Sequence, residues 1–114
     1  MGNWLIGEIF NIIAYNEIKK YSQEISDELI KAIDILRSEG AKRIILFGSL
    51  ARNRFRQYSD IDLACEGIAD ERFFHIYGKL MFNIRIPLDL IDINDADEFF
   101  ASRVREEGIV LYEE

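Results

Sequence analysis

The residues best able to do chemistry are gathered in one stretch, GSLARNRFRQYSDIDL, at positions 48–63. Gly48-Ser49 leaves an apolar segment and opens what reads as a helix. An unblocked backbone, a hydroxyl and free N–H groups would then face one point, which is a common way to hold a phosphate. Asp60 and Asp62 stand at i and i+2. On a strand that spacing puts both carboxylates on one face, roughly 7 Å apart at the backbone, where they can share a hard, oxygen-seeking cation such as Mg²⁺. Between Ala41 and Ser59 lie Lys42, Arg43, Arg52, Arg54 and Arg56 with no acid among them.

A third carboxylate would complete a metal-dependent phosphoryl-transfer site, and the segment PLDLIDI offers Asp89 and Asp92. These differ by three positions, so on a strand they face opposite sides. Leu88 and Leu90 flank Asp89 and must turn inward, which sends the Asp89 carboxylate to the same kind of wet face as Asp60 and Asp62. Asp89 is therefore the expected third member.

The elements that must position these groups follow from hydrophobic period. Ile6, Ile9, Phe10 and Ile13 predict an N-terminal helix within Leu5 to Tyr21. Ser22 or Ser26 caps a second helix whose buried face is Ile25, Leu29, Ala32, Ile33 and Leu36, with Gly40 past its end. RIILF at 43–47 predicts a buried strand, followed by a short helix through Leu50 to Phe55. Asp60 to Cys65 alternates as a strand with one wet face. Helical spacing from Asp70 to Asn83 would bury Phe73, Phe74, Ile76, Tyr77, Leu80 and Met81, and Pro87 forbids continuing it. A strand from Pro87 to Ile93 is followed by a helix capped by Asp95, containing Phe99, Phe100 and Val104 and ended by Gly108. Ile109 to Tyr112 adds an edge strand. The sum is a mixed α/β (α+β) layer structure with helices against a small sheet. Strand direction is not legible in these residues.

Composition narrows the function classes. A chain of 114 residues is room for one domain, and 49% apolar with 31% charged residues is an ordinary globular balance. A net charge of −7 argues against a chain that coats nucleic acid by neutralising phosphates. The single cysteine, Cys65, permits no internal disulfide and no zinc site of the usual spacing, which fits a reducing, cytoplasmic setting. The opening run MGNWLIGEIFNIIAY lacks leading basic residues and carries Glu8 and Asn11, and a bilayer span needs about 20 apolar residues, so neither export nor membrane insertion is expected.

Gly48-Ser49, ten intervening residues, Asp60-Ile61-Asp62 and a later strand aspartate at Asp89 resemble the minimal nucleotidyltransferase (MNT) domains of the DNA polymerase beta superfamily. ISDELIKAIDILRSEGAKRIILFGSLAR and VREEGIVLYEE look like the same family, so the likeness covers residues 25–114 and leaves an extra N-terminal helix, residues 1–22, on a single domain of 1–114. The resemblance implies a small mixed sheet with flanking helices and transfer of AMP from ATP. It implies two Mg²⁺ ions on Asp60, Asp62 and Asp89, with Asp89 nearest the acceptor as metal ligand or base. Gly48 and Ser49 match the phosphate-binding pair and Arg52 the arginine after the alanine. Many stand-alone members pair with a HEPN-type toxin, adding AMP to one of its tyrosines and silencing an RNase, so a nucleoside triphosphate and such a toxin are the implied partners.

The chain departs from that pattern at Leu50, where arginine is commoner, and at Asn53, where glycine often follows Arg52. Those departures leave open a binding-only antitoxin. A small-molecule nucleotidyltransferase is the other alternative, and would be expected to carry a further C-terminal domain. Arg54 and Arg56 read as solvated loop charges, Ser59 as a turn residue, His75 as an exposed helix residue and Cys65 as a buried filler. The stripe Trp4, Ile6, Ile9, Phe10 and Ile13 fits the domain's own core, a partner surface or a homodimer contact.

Overall fold

A computed structural model describes Asn16 and residues 18–52 and 60–114. The N-terminal stripe with its docking or dimer role, and Asn53, Arg54, Arg56 and Ser59, lie outside the described residues.

Helix α1 (Gln23–Ser38) is capped by Ser22, whose hydroxyl accepts from the Ile25 amide at 3.3 Å. Its periodic face, including Leu29, Ala32 and Leu36, is fully buried. Strand β1 (Arg43–Phe47) runs directly into the single turn of α2 (Gly48–Ala51). Strand β2 (Ile61–Glu66) lies antiparallel to β1, and helix α3 (Asp70–Asn83) then crosses over to β3 (Leu88–Asp92), which pairs parallel with β2. Such a crossover is what a parallel pair requires. Helix α4 (Glu98–Glu107) leads to β4 (Ile109–Glu113), antiparallel to β1. The four-stranded mixed sheet has the order β3-β2-β1-β4.

The sheet has two unlike faces. On one, Ile44, Leu46, Ile61, Leu63, Leu90 and Leu111 pack against Leu29 and Leu36 of α1 and Ile76 and Leu80 of α3. On the other, Ile45, Ala64 and Ile93 pack against Ala101 and Val104 of α4. One helix cannot cover a face that two helices cover on the reverse. The far end of the second face is left uncovered, and Asp62 and Asp89 stand there.

Three expectations need correction. The short helix is Gly48–Ala51 with its C-cap at Arg52, not Leu50 to Phe55. Helix α3 buries only Ile76 and Leu80, whereas Phe74 is 84% exposed and Met81 42% exposed. The helix touches the sheet along a narrow stripe beside the edge strand β3, so apolar residues off that stripe have nothing to pack against. The cap of α4 is Asp97, whose carboxylate accepts from the Phe100 amide at 2.9 Å, not Asp95. Asp95 is engaged in the turn after β3, its amide donating to the Asp92 carbonyl at 3.0 Å. Cys65 is buried as expected, and burial together with nearby Asp92 and Glu66 pushes its thiol up to about 12. Among the described residues no helix is long and apolar enough to cross a membrane.

The narrow stripe of α3 has a measurable consequence. In urea unfolding, Ile76→Ala is expected to lose about 2–4 kcal/mol, as deleting a buried branched side chain does, while Phe82→Ser, at a ring 91% exposed near the end of α3, changes stability by less than about 0.5 kcal/mol. Equal losses for the two would place the α3 contact on the wrong face.

Candidate active site

The open end of the sheet is built around Asp62. Strand alternation points its side chain to the α4 face, two residues before Ala64, which packs under α4. Across the parallel ladder its register partner is Asp89, about 4.8 Å away at the backbone as neighbours in a sheet are. Asp60 immediately precedes β2 and, two residues back, belongs to the same face. The three carboxylates therefore form a corner, with Asp62 at its vertex. Asp62 is half-buried, whereas Asp60 and Asp89 are exposed.

The charge arithmetic falls on the vertex. Burial, then the charge of Asp89, then that of Asp60, all push the Asp62 carboxyl above the ordinary aspartate range. Among the described residues no base pulls it back down. Hard oxygen donors crowded together without a counter-charge are the donor set a divalent cation such as Mg²⁺ takes.

Gly48 closes the other side. It sits opposite the β1–β2 pair Phe47↔Asp62 with φ +75°, in the left-handed region, and a Cβ built there would fall on Asp62 Oδ2. Glycine is required on both counts, backbone and space. Ser49 is half-buried at the start of α2. Leu50 is fully buried, and the Tyr21 hydroxyl donates to its carbonyl at 2.8 Å, so the leucine at this position serves packing. Arg52 is exposed, with its Nε 3.9 Å from Glu107 Oε1. Such a solvated pair holds little, leaving the guanidinium free to turn toward an anion.

Beside Gly48 a cavity of about 90 Å³ opens between α2 and α4, walled by Phe47, Arg52, Phe100, Arg103 and Glu107. The rings of Phe47 and Phe100 meet edge to face at 5.8 Å. The contribution of α4 to this wall has no sequence signal, because nothing in Phe100 or Arg103 announces which face the helix covers. Tyr77 was also hidden within its helix. Its hydroxyl donates to Asp89 Oδ1 at 3.2 Å, and burial, with the Asp89 charge and this hydrogen bond, keeps the phenol protonated by pushing its pKa up.

The tightest carboxylate group among the described residues lies elsewhere. Asp70, Asp92 and Asp95 each bring a carboxylate oxygen within 4.8 Å of the others. Asp92, in register with Cys65, is three residues beyond Asp89 and on the opposite face. Its buried carboxylate accepts from the Asn94 amide at 3.0 Å, so it is used by its own turn. Asp89 and Asp92 thus lie on opposite faces of β3, as their three-residue spacing requires.

Residues 30–114 match the family model described as polymerase beta, nucleotidyltransferase. No match was found among curated proteins. Among solved structures, the chain superposes on a toxin–antitoxin with AMP-PNP at a TM-score of 0.63 and 24% identity, covering 82% of this chain and 75% of that one. A variant of an MntA-HpeT toxin–antitoxin gives a TM-score of 0.62 at 27% identity, over 75% and 72% of the two chains. The tri-AMPylated Shewanella oneidensis HEPN toxin in complex with MNT antitoxin gives 0.58 at 25% identity, over 76% and 71%.

The vertex position of Asp62 makes a prediction for the metal-free protein. A carboxyl whose pKa is raised on folding costs stability that grows as pH climbs from its unfolded value through its folded one, and persists above. Asp62→Asn is therefore expected to raise the melting temperature at pH 7, with the gain shrinking as pH falls toward about 4, the ordinary aspartate range. A lower melting temperature at pH 7 would contradict the uncompensated cluster.

Proposed function

The chain belongs to the polymerase beta nucleotidyltransferase family, and from that premise we propose that it transfers AMP from ATP to a protein hydroxyl at the open end of the sheet. The observation that carries this reading is the corner of Asp60, Asp62 and Asp89 beside the Gly48 turn, in which the Asp62 carboxyl has no counter-charge.

In this reading Asp60, Asp62 and Asp89 would hold two Mg²⁺ ions. When bound, the metal supplies positive charge to the triphosphate and lowers the cost of forming an alkoxide-like acceptor oxygen. The residues of the chain do the rest. The Gly48-Ser49 turn brings backbone N–H groups and a hydroxyl to the phosphates, and Arg52 swings from Glu107 onto them. Asp89, the more exposed of the register pair, faces the acceptor and takes its proton. The acceptor oxygen then bonds to the α-phosphorus as the bond from that phosphorus to pyrophosphate breaks. The in-line geometry is enforced by positioning, the main contribution a protein makes to phosphoryl transfer.

The acceptor we infer is a tyrosine of a HEPN-type toxin, with this chain as its antitoxin. The support is the fold likeness to MNT chains in toxin–antitoxin structures, one of which holds a tri-AMPylated HEPN toxin. The binding-only alternative rested on Leu50 and Asn53. The burial of Leu50 gives that residue a packing reason, and a binding-only module would keep a destabilising carboxylate cluster to no purpose.

Incubating the full chain with labelled ATP, Mg²⁺ and its HEPN-type partner is expected to label a partner tyrosine, with Asp60→Asn and Asp89→Asn each reducing the rate by at least about 100-fold, the scale on which loss of a metal-site group acts. Full transfer by Asp60→Asn would remove the carboxylate corner from the chemistry.

A further inference from the structure

Asp89 sits on an edge strand with an exposed side chain, so its own backbone does little to fix where the carboxylate points. The element that does so comes from the opposite side of the sheet. Helix α3 is anchored on the α1 face by Ile76 and Leu80, each fully buried. Tyr77, next to Ile76 and one turn after Phe73, is half-buried at the margin of that stripe, its ring 6.2 Å from the Phe73 ring. From there the phenol reaches round the β3 edge and donates to Asp89 Oδ1 at 3.2 Å.

A hydrogen bond to one oxygen of a ligating carboxylate orients the ligand and leaves the other oxygen free. Such outer partners matter to metal sites nearly as much as the ligands. A tyrosine suits the task because its long, rigid side chain has few rotamers to freeze. Building on the reading of Asp89 given above, we propose that Tyr77 is a positioning residue for nucleotidyl transfer: by holding Asp89 Oδ1 it presents Oδ2 to the cation and the acceptor hydroxyl. The role is indirect, since the phenol acts only through Asp89.

Tyr77→Phe keeps the ring and removes the donor. In the full chain, titration with Mn²⁺ alone, following the free-ion EPR signal without nucleotide or turnover, is expected to show binding about tenfold weaker, with the kcat for AMP transfer falling in parallel and the KM for ATP unchanged. In the Asp89→Asn background the same substitution should change nothing further, because the phenol then has no carboxylate to hold. A role in packing alone would move the melting temperature and would add to Asp89→Asn, and that result overturns the proposal, as does wild-type Mn²⁺ affinity in Tyr77→Phe. If Asp89→Asn itself binds Mn²⁺ like the wild type while Asp62→Asn does not, the failure lies with Asp89 as a ligand, and the positioning role falls with it. Urea unfolding of each variant keeps a folding defect from being read as either outcome.

Discussion

Everything at the open end of this sheet depends on Asp62, a half-buried carboxylate that the backbone holds beside the charges of Asp89 and Asp60. Asp62 and Asp89 are register partners in a parallel ladder, and Asp60 is two residues back along the same face. Side chains can lean apart, but the ladder cannot slip: a shift of one residue would turn Leu63 and Leu90 out of the core and the aspartates into it. The hydrophobic face thus supplies the restraint. Ile61, Leu63 and Leu90, packed beneath α1 and α3, hold the acids of the other face in place against a force that would disperse them.

The same restraint explains the surroundings. The Gly48 turn closes so near Asp62 that only a residue without a Cβ fits, which shields the vertex from water while leaving its charge unneutralised. Helix α4 covers Ala64 and, through Phe100, reaches Phe47 on β1, while Asp62 stays half-buried and Asp60 and Asp89 exposed to solvent. The net charge of −7 and the five bases of the 41–59 stretch are not in conflict. Arg43 stands at the far end of β1, paired with Glu66 and Glu113, whereas Arg52 lies beside Gly48, and acids that gather cations next to one such base suit a polyphosphate carrying its metal. A cluster that destabilises the empty protein gives binding free energy back when a cation arrives, which is how many sites trade stability for function.

Much of this was legible in the residues. Period-two alternation placed Asp60 and Asp62 on one face, and parity alone separated Asp89 from Asp92. Ser22, of the two serines considered, caps α1. The failures have physical causes. Apart from a polar face of Arg72, His75 and Lys79, helix α3 carries a wide apolar arc, so its period predicts Phe74 and Met81 in the core and does not show that only the Ile76–Leu80 stripe finds a partner. Asp95 and Asp97 are equally good caps in isolation, and only the turn following β3, with the Asp95 amide on Asp92, decides between them. Strand direction follows from the crossover helix and was not written in the strands. The contact between Tyr77 and Asp89 joins two faces of the sheet around its edge, a relation that no local pattern encodes.

In the function proposed above, nucleotide binding depends on a divalent cation held by the carboxylate corner. Calorimetry of ATP binding to the full chain, with Mg²⁺ and then with the metal chelated, tests it most directly. The expected result is heat of binding with Mg²⁺ that disappears on chelation and in Asp62→Asn. ATP binding of equal strength without metal, or no binding under either condition, would contradict it.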